Sequence, residues 1–115
     1  TTWSPLASGA LTGKYLDGIP EGSRASLEGY EWLKNSMVES ERGQDRMKKV
    51  ASLNPIAQEM GVSLSNLAIA WCLLNKNVST VILGASKVEQ LEENLKSLEV
   101  LPLINQEVIN KLSSI

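Results

Sequence analysis

The polar side chains best suited to chemistry fall within residues 86–94. Four of them recur at spacings of three and four residues, so a helix would align them on one face: Ser86, Gln90, Glu93 and Asn94. A helix N-terminus offers free N–H groups and partial positive charge, which together can bind a phosphate. The two amides can pair with an adenine edge, and the carboxylate can accept from an amino group or a ribose hydroxyl. The same pattern also fits a capped surface helix with a polar outer face.

A short strand and a glycine turn are predicted to position this helix. Residues 80–83 form a β-branched and apolar run, which is typical of a strand covered on both faces. Gly84 then lets the backbone turn without a clash from a Cβ atom, and Ser86 with Glu89 matches a capping box that starts the helix. The helix also carries one apolar face, made at helical spacing by Val88, Leu91, Leu95 and Leu98.

Positively charged residues follow a second extended segment at the start of the chain. Residues 1–4 favour the end of a strand that stops at Pro5, and the small residues 7–10 would let a ligand approach the backbone closely. Lys14 and Arg24 lie in the loop region beyond. An arginine fork matches a phosphate well, and in a (β/α)8 barrel the loops after the last two strands often form a phosphate site. Arg24 fits an exposed loop charge equally well.

Between and after these two segments the pattern is helical. Beyond a helical stretch from Ser26, three helices are predicted, over residues 39–60, 64–75 and 106–112. Gly43 and Pro55 interrupt the first of them, where Pro55 either kinks the helix or, with Asn54, starts a new one. Gly61 and Ser63 stand where a C-terminal glycine and an N-cap are favoured. The order of strand, helices, strand and helix indicates a parallel α/β sheet or barrel, but two strands cannot close a barrel or form a stable sheet.

Composition limits the classes of function. The chain has 115 residues, 43% of them hydrophobic, and a net charge of −2, which gives no basic footprint for nucleic acid. No apolar run is long enough to cross a membrane, and a single cysteine excludes an internal disulfide and favours a reducing compartment. Because Thr1 is not an initiator methionine and an extended segment starts there, we expect the chain to be a piece of a longer protein.

Several kinds of catalysis are excluded by residue type. Without a histidine the chain cannot build a Ser-His-Asp triad, and one cysteine cannot supply the ligands of a zinc site. Cys72 is predicted to be a buried core thiol, and Trp32 and Trp71 are predicted to lie in the core rather than to act as stacking platforms. What remains is the binding of a ligand, with no catalytic residues visible.

Several separated motifs resemble those of the aldo-keto reductases, and most closely those of the voltage-gated potassium channel β-subunit branch. The stretches that carry the resemblance are residues 3–9, 11–15, 23–27, 29–30 and 67–72, and Gly84-Ala85-Ser86 with Gln90, Glu93 and Asn94. The resemblance implies a (β/α)8 TIM barrel that binds NADPH and reduces aldehydes and ketones in the cytoplasm. Residues 1–115 would be the C-terminal part of that single domain, containing its last two strands and helix-rich as a fragment.

The resemblance also assigns binding roles by position. Those expected at the nicotinamide and pyrophosphate end are Trp3, Ser4, Pro5, Leu6 and Ser8. Those expected to fold over the pyrophosphate and the adenosine 2′-phosphate are Lys14, Ser23 and Arg24. Gly84 and Ser86 would contact that 2′-phosphate. The adenosine would be contacted by Gln90, Glu93 and Asn94.

No position matches the family's catalytic tetrad, because Tyr15 and Tyr30 fall in other motifs. The longer protein would be an NADPH-dependent carbonyl reductase if it carries the tetrad elsewhere. Alternatively it would be an accessory subunit that regulates a potassium channel and uses bound cofactor as a redox sensor. The resemblance implies that such a subunit is a homo-tetramer. A decayed fragment without activity is the third possibility, and the sequence upstream of Thr1 would discriminate among the three.

Overall fold

The computed structural model describes all of residues 1–115, and helices make up nearly all of its regular structure. The α-helices are α1 (Glu31–Lys34), α2 (Glu41–Met60), α3 (Leu64–Leu74), α4 (Val88–Leu95), α5 (Ser97–Val100) and α6 (Gln106–Ser113). Three short 3-10 helices cover Ala7–Thr12, Arg24–Ser26 and Leu101–Leu103, and a π-helical turn covers Asn35–Glu39. The helix-rich character that the sequence predicts is therefore confirmed.

The two predicted strands meet at one parallel bridge between Thr2 and Val81. The Thr2 N–H donates to the Thr80 carbonyl at 3.0 Å, and the Ile82 N–H donates to the Thr2 carbonyl at 2.9 Å. No longer strand forms around this pair. The prediction that residues 80–83 are covered on both faces was wrong, since Thr80 is exposed and Ile82 is 53% exposed. A strand pair without neighbours or a covering layer is only marginally stable in water, which explains the short pairing.

Helix α2 runs unbroken from Glu41 to Met60 with Pro55 inside it, so the predicted interruption at Gly43 and the alternative of a new helix starting at Asn54-Pro55 were wrong. A Cβ atom on Gly43 would lie 2.8 Å from the carbonyl carbon of Met37, so glycine there allows the preceding turn to pack closely. Pro55 leaves the carbonyl of Ala51 without a helical donor, and Ala51 is exposed, so water can bond to it. The predicted end is confirmed, because Gly61 follows the helix with φ of 72°.

The main core lies where α2, α3 and α6 meet. Ser63 caps α3 as predicted, accepting a 3.1 Å hydrogen bond from the Asn66 N–H. The buried members of this core are Val50, Ile56, Ala57, Leu64, Leu67, Ala70, Val100, Ile104 and Val108. Each fully buried aliphatic side chain of this kind contributes about 1.5–3 kcal/mol relative to exposure. This core provides the frame against which α4 is held.

A second, smaller core fixes the loop region before α2. Its buried members are Ala10, Tyr15, Ala25, Leu33 and Met37. They tie the loop after the first extended segment to α1, and they hold Lys14 and Arg24 on a defined surface. The loop residues that the sequence analysis proposes as phosphate ligands therefore sit on packed structure.

The tryptophans do not lie in the core. Trp32 is 63% exposed and Trp71 is 56% exposed, so the prediction that both are buried was wrong. Trp32 packs beside Tyr30, with ring centroids 6.3 Å apart. Trp71 and Cys72 line an open cavity of about 490 Å3 instead of the core. Cys72 is only partly buried, although burial is the main cause that raises the pKa of its thiol.

None of the helices combines the length and the apolar content that crossing a bilayer requires.

Candidate cofactor-binding site

The N-terminus of α4 is built differently from the predicted capping box. The helix begins at Val88, its N-cap residue is Lys87, and no side chain caps it, so Ser86 is not the N-cap. Instead the Gln90 Oε1 atom accepts hydrogen bonds from the Ser86 N–H at 2.9 Å and from the Ser86 hydroxyl at 3.1 Å. The amide of Gln90 reaches back one residue further than a capping box would, and it displaces Glu89 from the predicted role.

Ser86 thus directs two donors at a single oxygen atom. A phosphate oxygen could accept from the same two donors if the Gln90 side chain turned away. The space is open, because a Cβ atom on Gly84 would meet nothing within 4 Å and its backbone φ is not positive. The prediction that Gly84 is needed to avoid a Cβ clash was therefore wrong, and the exposed turn leaves room for a ligand beside Ser86.

The polar face of α4 points into the protein. Asn94 is only 7% exposed, and Ser97 just beyond the helix is 3% exposed. The Glu93 Oε1 atom accepts from the Asn66 Nδ2 atom of α3 at 3.1 Å, and Glu93 Oε2 lies 2.7 Å from Lys96 Nζ. The alternative of a surface helix with a polar outer face is therefore wrong for this end of α4. Sequence reasoning missed Asn66, because its only local signal was its place in the first turn after the Ser63 cap.

Hydrogen bonding keeps Glu93 ionised. The bond from Lys96 is the largest cause that holds the pKa of the Glu93 carboxyl below its ordinary value, and bonds from Ser63 and Asn66 act in the same direction. Partial burial opposes them. A carboxylate accepts at two oxygens with about four lone-pair sites, so the bonds from Lys96, Ser63 and Asn66 leave capacity for a ligand donor.

The apolar face of α4 is turned to solvent. Val88, Leu91 and Leu95 are 68%, 42% and 53% exposed, and Leu98, in α5 just beyond the helix, continues the row at 62% exposed. Isolated exposed leucines are common on proteins, but an aligned row of four is the kind of patch that marks an interaction surface. The helix is therefore attached by its polar side, and its apolar side has no partner within residues 1–115.

The loop after the first extended segment is strained. Three non-glycine residues have left-handed backbone conformations: Ser4 and Ala7 with φ of 50°, and Ser8 with φ of 58°. Such conformations cost on the order of 1–3 kcal/mol and concentrate at binding sites. Trp3 is 79% exposed, and with Ser4 and Pro5 it lines the cavity of about 490 Å3. Leu6 and Ser8 are partly buried in the same loop.

Two cations are available on this loop region. Lys14 is exposed, and its Nζ atom lies 5.2 Å from the centroid of the Tyr15 ring. A Cβ atom on Gly9 would come within 2.8 Å of Lys14 Cε, so glycine there leaves room for the lysine side chain. Arg24 is exposed, with no ion pair inside the chain. Ser23 precedes it and donates its hydroxyl to the Pro20 carbonyl at 2.7 Å.

The parallel bridge sets how the two groups of residues are arranged. Since the extended segments that contain Thr2 and Val81 are parallel, the loops that follow them leave the same edge of the pair. One loop begins with Trp3 and Ser4, and the other leads through Gly84 to Ser86. The lining of the large cavity includes Trp3, Ser4 and Pro5 but does not include Arg24, Ser86 or Asn94.

The described residues contain no cluster of three or more metal-ligating His, Cys, Asp or Glu side chains.

Comparison with known proteins gives a match along the whole chain. The model of the aldo/keto reductase family matches residues 1–115. A probable voltage-gated potassium channel subunit beta from Oryza sativa subsp. japonica is 55% identical over 117 residues, which cover 100% of this chain and 34% of the relative. The chain thus spans about a third of the length of that curated relative. The family resemblance found in the sequence, and its channel-subunit branch, are confirmed.

Proposed function

The chain belongs to the aldo/keto reductase family, whose fold is the (β/α)8 barrel, and we propose that it is the C-terminal portion of one such domain. Its single parallel bridge would belong to the last two barrel strands. The exposed apolar row Val88, Leu91, Leu95 and Leu98 would be covered by other parts of the same barrel. This proposal explains why an amphipathic helix leaves its apolar face open, and it agrees with the one-third share of the relative's length.

We further propose that this portion binds NADP(H) with the two loops that leave the bridge. The observation that carries this proposal is the parallel bridge, because the chain segment that leads to Lys14 and Arg24 and the segment that leads to Ser86 leave it at the same edge. Ser86 directs two donors at one oxygen, and Arg24 and Lys14 are exposed cations without an ion pair. A phosphate at the adenosine 2′ position fits such a donor set, because arginine and a hydroxyl both give charge-assisted hydrogen bonds to phosphate oxygens.

The remaining binding roles follow the same order along the cofactor. The strained loop would line the nicotinamide and pyrophosphate end with Trp3, Ser4, Pro5, Leu6 and Ser8. Lys14, Ser23 and Arg24 would close over the pyrophosphate and the 2′-phosphate, and Gly84 would let that phosphate approach Ser86. Gln90, Glu93 and Asn94 would contact the adenosine from α4. These residues bind and orient, and none of them carries out the chemical step.

The proposed reaction of the whole barrel is the reduction of an aldehyde or ketone carbonyl. NADPH supplies the hydride when it is bound, and the protein's task is to hold the nicotinamide against the substrate. Residues 1–115 contribute the part of the site that selects and anchors the cofactor. The groups that donate a proton to the carbonyl oxygen would come from other parts of the barrel.

A second function is favoured by the name of the relative. The rice protein is named as a probable potassium channel subunit beta, and its 55% identity extends over the whole of this chain. We propose as the alternative that the protein is a cytoplasmic accessory subunit, assembled as a homo-tetramer, that regulates a channel and reports the redox state of its bound cofactor. Both functions need the same cofactor site, so they differ in turnover and not in NADPH affinity.

Titration of the full-length polypeptide with NADPH and NADH, followed by protein fluorescence, tests the proposed site. We expect NADPH to bind more tightly by about 10- to 100-fold, since hydrogen bonds to a charged group contribute about 1.5–3 kcal/mol. Arg24→Ala should narrow this gap, whereas Arg42→Ala, at an exposed position in the first turn of α2, should leave it unchanged. Equal affinities for the two cofactors would refute the assignment of the 2′-phosphate.

Turnover separates the two functions. Oxidation of NADPH by the full-length protein in the presence of an aldehyde, followed by absorbance, should be fast for a reductase. Tight NADPH binding with turnover too slow to measure, together with association with a channel, would favour the accessory subunit.

A further inference from the structure

One hydrogen bond joins the proposed adenosine helix to the main core. The Asn66 Nδ2 atom donates to Glu93 Oε1 at 3.1 Å, across 27 positions of sequence. Asn66 lies in the first turn of α3, its backbone N–H is bonded to the Ser63 hydroxyl at 3.1 Å, and the residue is only 4% exposed. The donor therefore belongs to a buried residue in the capped first turn of α3.

The exposed contacts of α4 do not provide this attachment. Val88, Leu91 and Leu95 are exposed, so the apolar face does not hold the helix in place within the chain. The Lys96–Glu93 ion pair at 2.7 Å joins residues three apart, and it fixes a side-chain rotamer without tying α4 to α3. On the buried side of α4, where Asn94 is 7% exposed, the polar contact with Asn66 links the Glu93 carboxylate directly to α3.

Asn66 also makes little sense as a packing residue. It sits among the buried apolar residues Leu64, Leu67, Ile69 and Ala70 of α3, where an aliphatic side chain would be favoured. Its Oδ1 atom is buried without any hydrogen-bond partner in the structure. An unpaired buried acceptor destabilises a fold, so the benefit of an asparagine here must come from what its Nδ2 donor does.

We propose that Asn66 is a positioning residue for the adenosine half of the cofactor, acting through Glu93. It fixes one carboxylate oxygen of Glu93 while the side chain stays 44% exposed, so the remaining lone pairs face a ligand in a constant direction. The donor on the ligand would be the amino group of an adenine or a hydroxyl of its ribose. This inference rests on the proposed function, in which Glu93 contacts the adenosine.

Two ligands measured with the full-length polypeptide test the role of Asn66. Asn66→Leu removes the donor and keeps a similar volume. We expect it to weaken NADPH binding by about 10- to 100-fold, the range for loss of a hydrogen bond to a charged group. Reduced nicotinamide mononucleotide, which lacks the adenosine, should bind with unchanged affinity. A merely structural role would weaken both ligands alike, and that result would overturn the proposal.

Three further variants sharpen the test. Glu93→Ala should also weaken NADPH binding. Adding Asn66→Leu to it should cause no further loss of affinity, because Asn66 acts on the ligand only through Glu93. Lys96→Met, which removes the other partner of Glu93, should change NADPH affinity by less than about threefold, as expected of an exposed ion pair. Should Asn66→Leu fail to fold, Asn66→Asp keeps the shape and, when ionised, replaces the donor with a carboxylate that repels Glu93, so it is expected to give the same selective loss.

The outcomes distinguish this inference from the proposed function. If Glu93→Ala leaves NADPH affinity unchanged, the assignment of Glu93 to the adenosine is wrong and both fail. If Glu93→Ala weakens NADPH but Asn66→Leu and Asn66→Asp do not, the site stands and the positioning role of Asn66 is refuted. Additive losses in the double variant would equally refute it.

Discussion

Helices α4 and α6 have the same length and a similar amphipathic pattern, yet they are used in opposite ways. Helix α6 is capped by Asn105, whose Oδ1 atom accepts from the Val108 N–H at 3.0 Å, and its Val108 is 8% exposed in the main core. Helix α4 has no side-chain cap, and its Leu91 and Leu95 are 42% and 53% exposed. One helix finds its partner within residues 1–115, and the other attaches by its polar side.

The difference shows what an amphipathic pattern can and cannot predict. It predicts that a helix has an apolar face, but it does not say which surface covers that face. In α6 the main core of the chain covers it. In α4 the chain offers the Asn66–Glu93 hydrogen bond to the opposite face, and we propose that the rest of a barrel covers the apolar row. The proposed adenosine site would then lie on the side of α4 that is attached to α3.

The largest expected effect concerns residues 1–115 expressed alone. With the apolar row Val88, Leu91, Leu95 and Leu98 exposed and one parallel bridge with open edges, the chain should self-associate or melt broadly. Analytical ultracentrifugation and a thermal melt followed by circular dichroism would measure this. A monomer with one sharp cooperative transition would contradict the difference described between α4 and α6, because it would show that α4 needs no further partner.

Truncation of the α4 apolar face in the full-length polypeptide should give the next largest effect. If barrel elements cover Leu91, then Leu91→Ala removes a buried side chain and should lower the free energy of unfolding by about 2–5 kcal/mol. Denaturant unfolding measures the change. Glu92→Ala, at an exposed neighbour, is the control and should stay within about 0.5 kcal/mol. A similarly small change for Leu91→Ala would show that the face remains in solvent.

Removing the N-cap side chain of α6 should lower the free energy of unfolding more than removing that of α4, but less than Leu91→Ala does. Asn105→Ala removes the side-chain acceptor at the start of α6 and should destabilise the full-length protein by about 1 kcal/mol. Lys87→Ala, at the N-cap of α4, removes no cap bond and should change stability by no more than a few tenths of a kcal/mol. The same unfolding assay compares the two variants. Equal losses would contradict the described difference between the helix starts.

The smallest expected effect is a pH dependence at Glu93. Its pKa is lowered in the folded state, chiefly by the Lys96 bond, from an ordinary value of 4.5. The contribution of the ionised group is therefore present above pH 4.5 and is lost as pH falls through the lowered pKa. Glu93→Gln should melt slightly below the unsubstituted protein at pH 7, and the difference should shrink towards pH 3. A difference that grows in acid would contradict this sign.

Local signals in the sequence predicted much of the helical frame. Ser63 and Gly61 mark helix ends by side-chain capping and by a left-handed turn, and both were confirmed because such effects depend on a few neighbouring residues. Helix α6 was placed correctly to within one residue at its end. The start of α4 was predicted wrongly, because Gln90 competes for the donors of Ser86 in a way that a capping-box pattern does not include.

Contacts between distant residues could not be predicted in this way. The Asn66–Glu93 bond joins two helices whose relative placement no local pattern specifies. Trp71 was assigned to the core because it is large and apolar, but it lines an open cavity. The proposed binding residues came from the resemblance to a family, and their polar spacing on α4 was the only part that the residues themselves indicated.

The most direct test of the account is an experimental structure of the full-length protein with bound NADP+. We predict that the adenosine 2′-phosphate lies within about 3 Å of both Ser86 Oγ and the Arg24 guanidinium, which is hydrogen-bond distance. We also predict that Leu91 and Leu95 are covered by other parts of the barrel. A phosphate bound away from both residues, or an α4 apolar face still open to solvent, would contradict it.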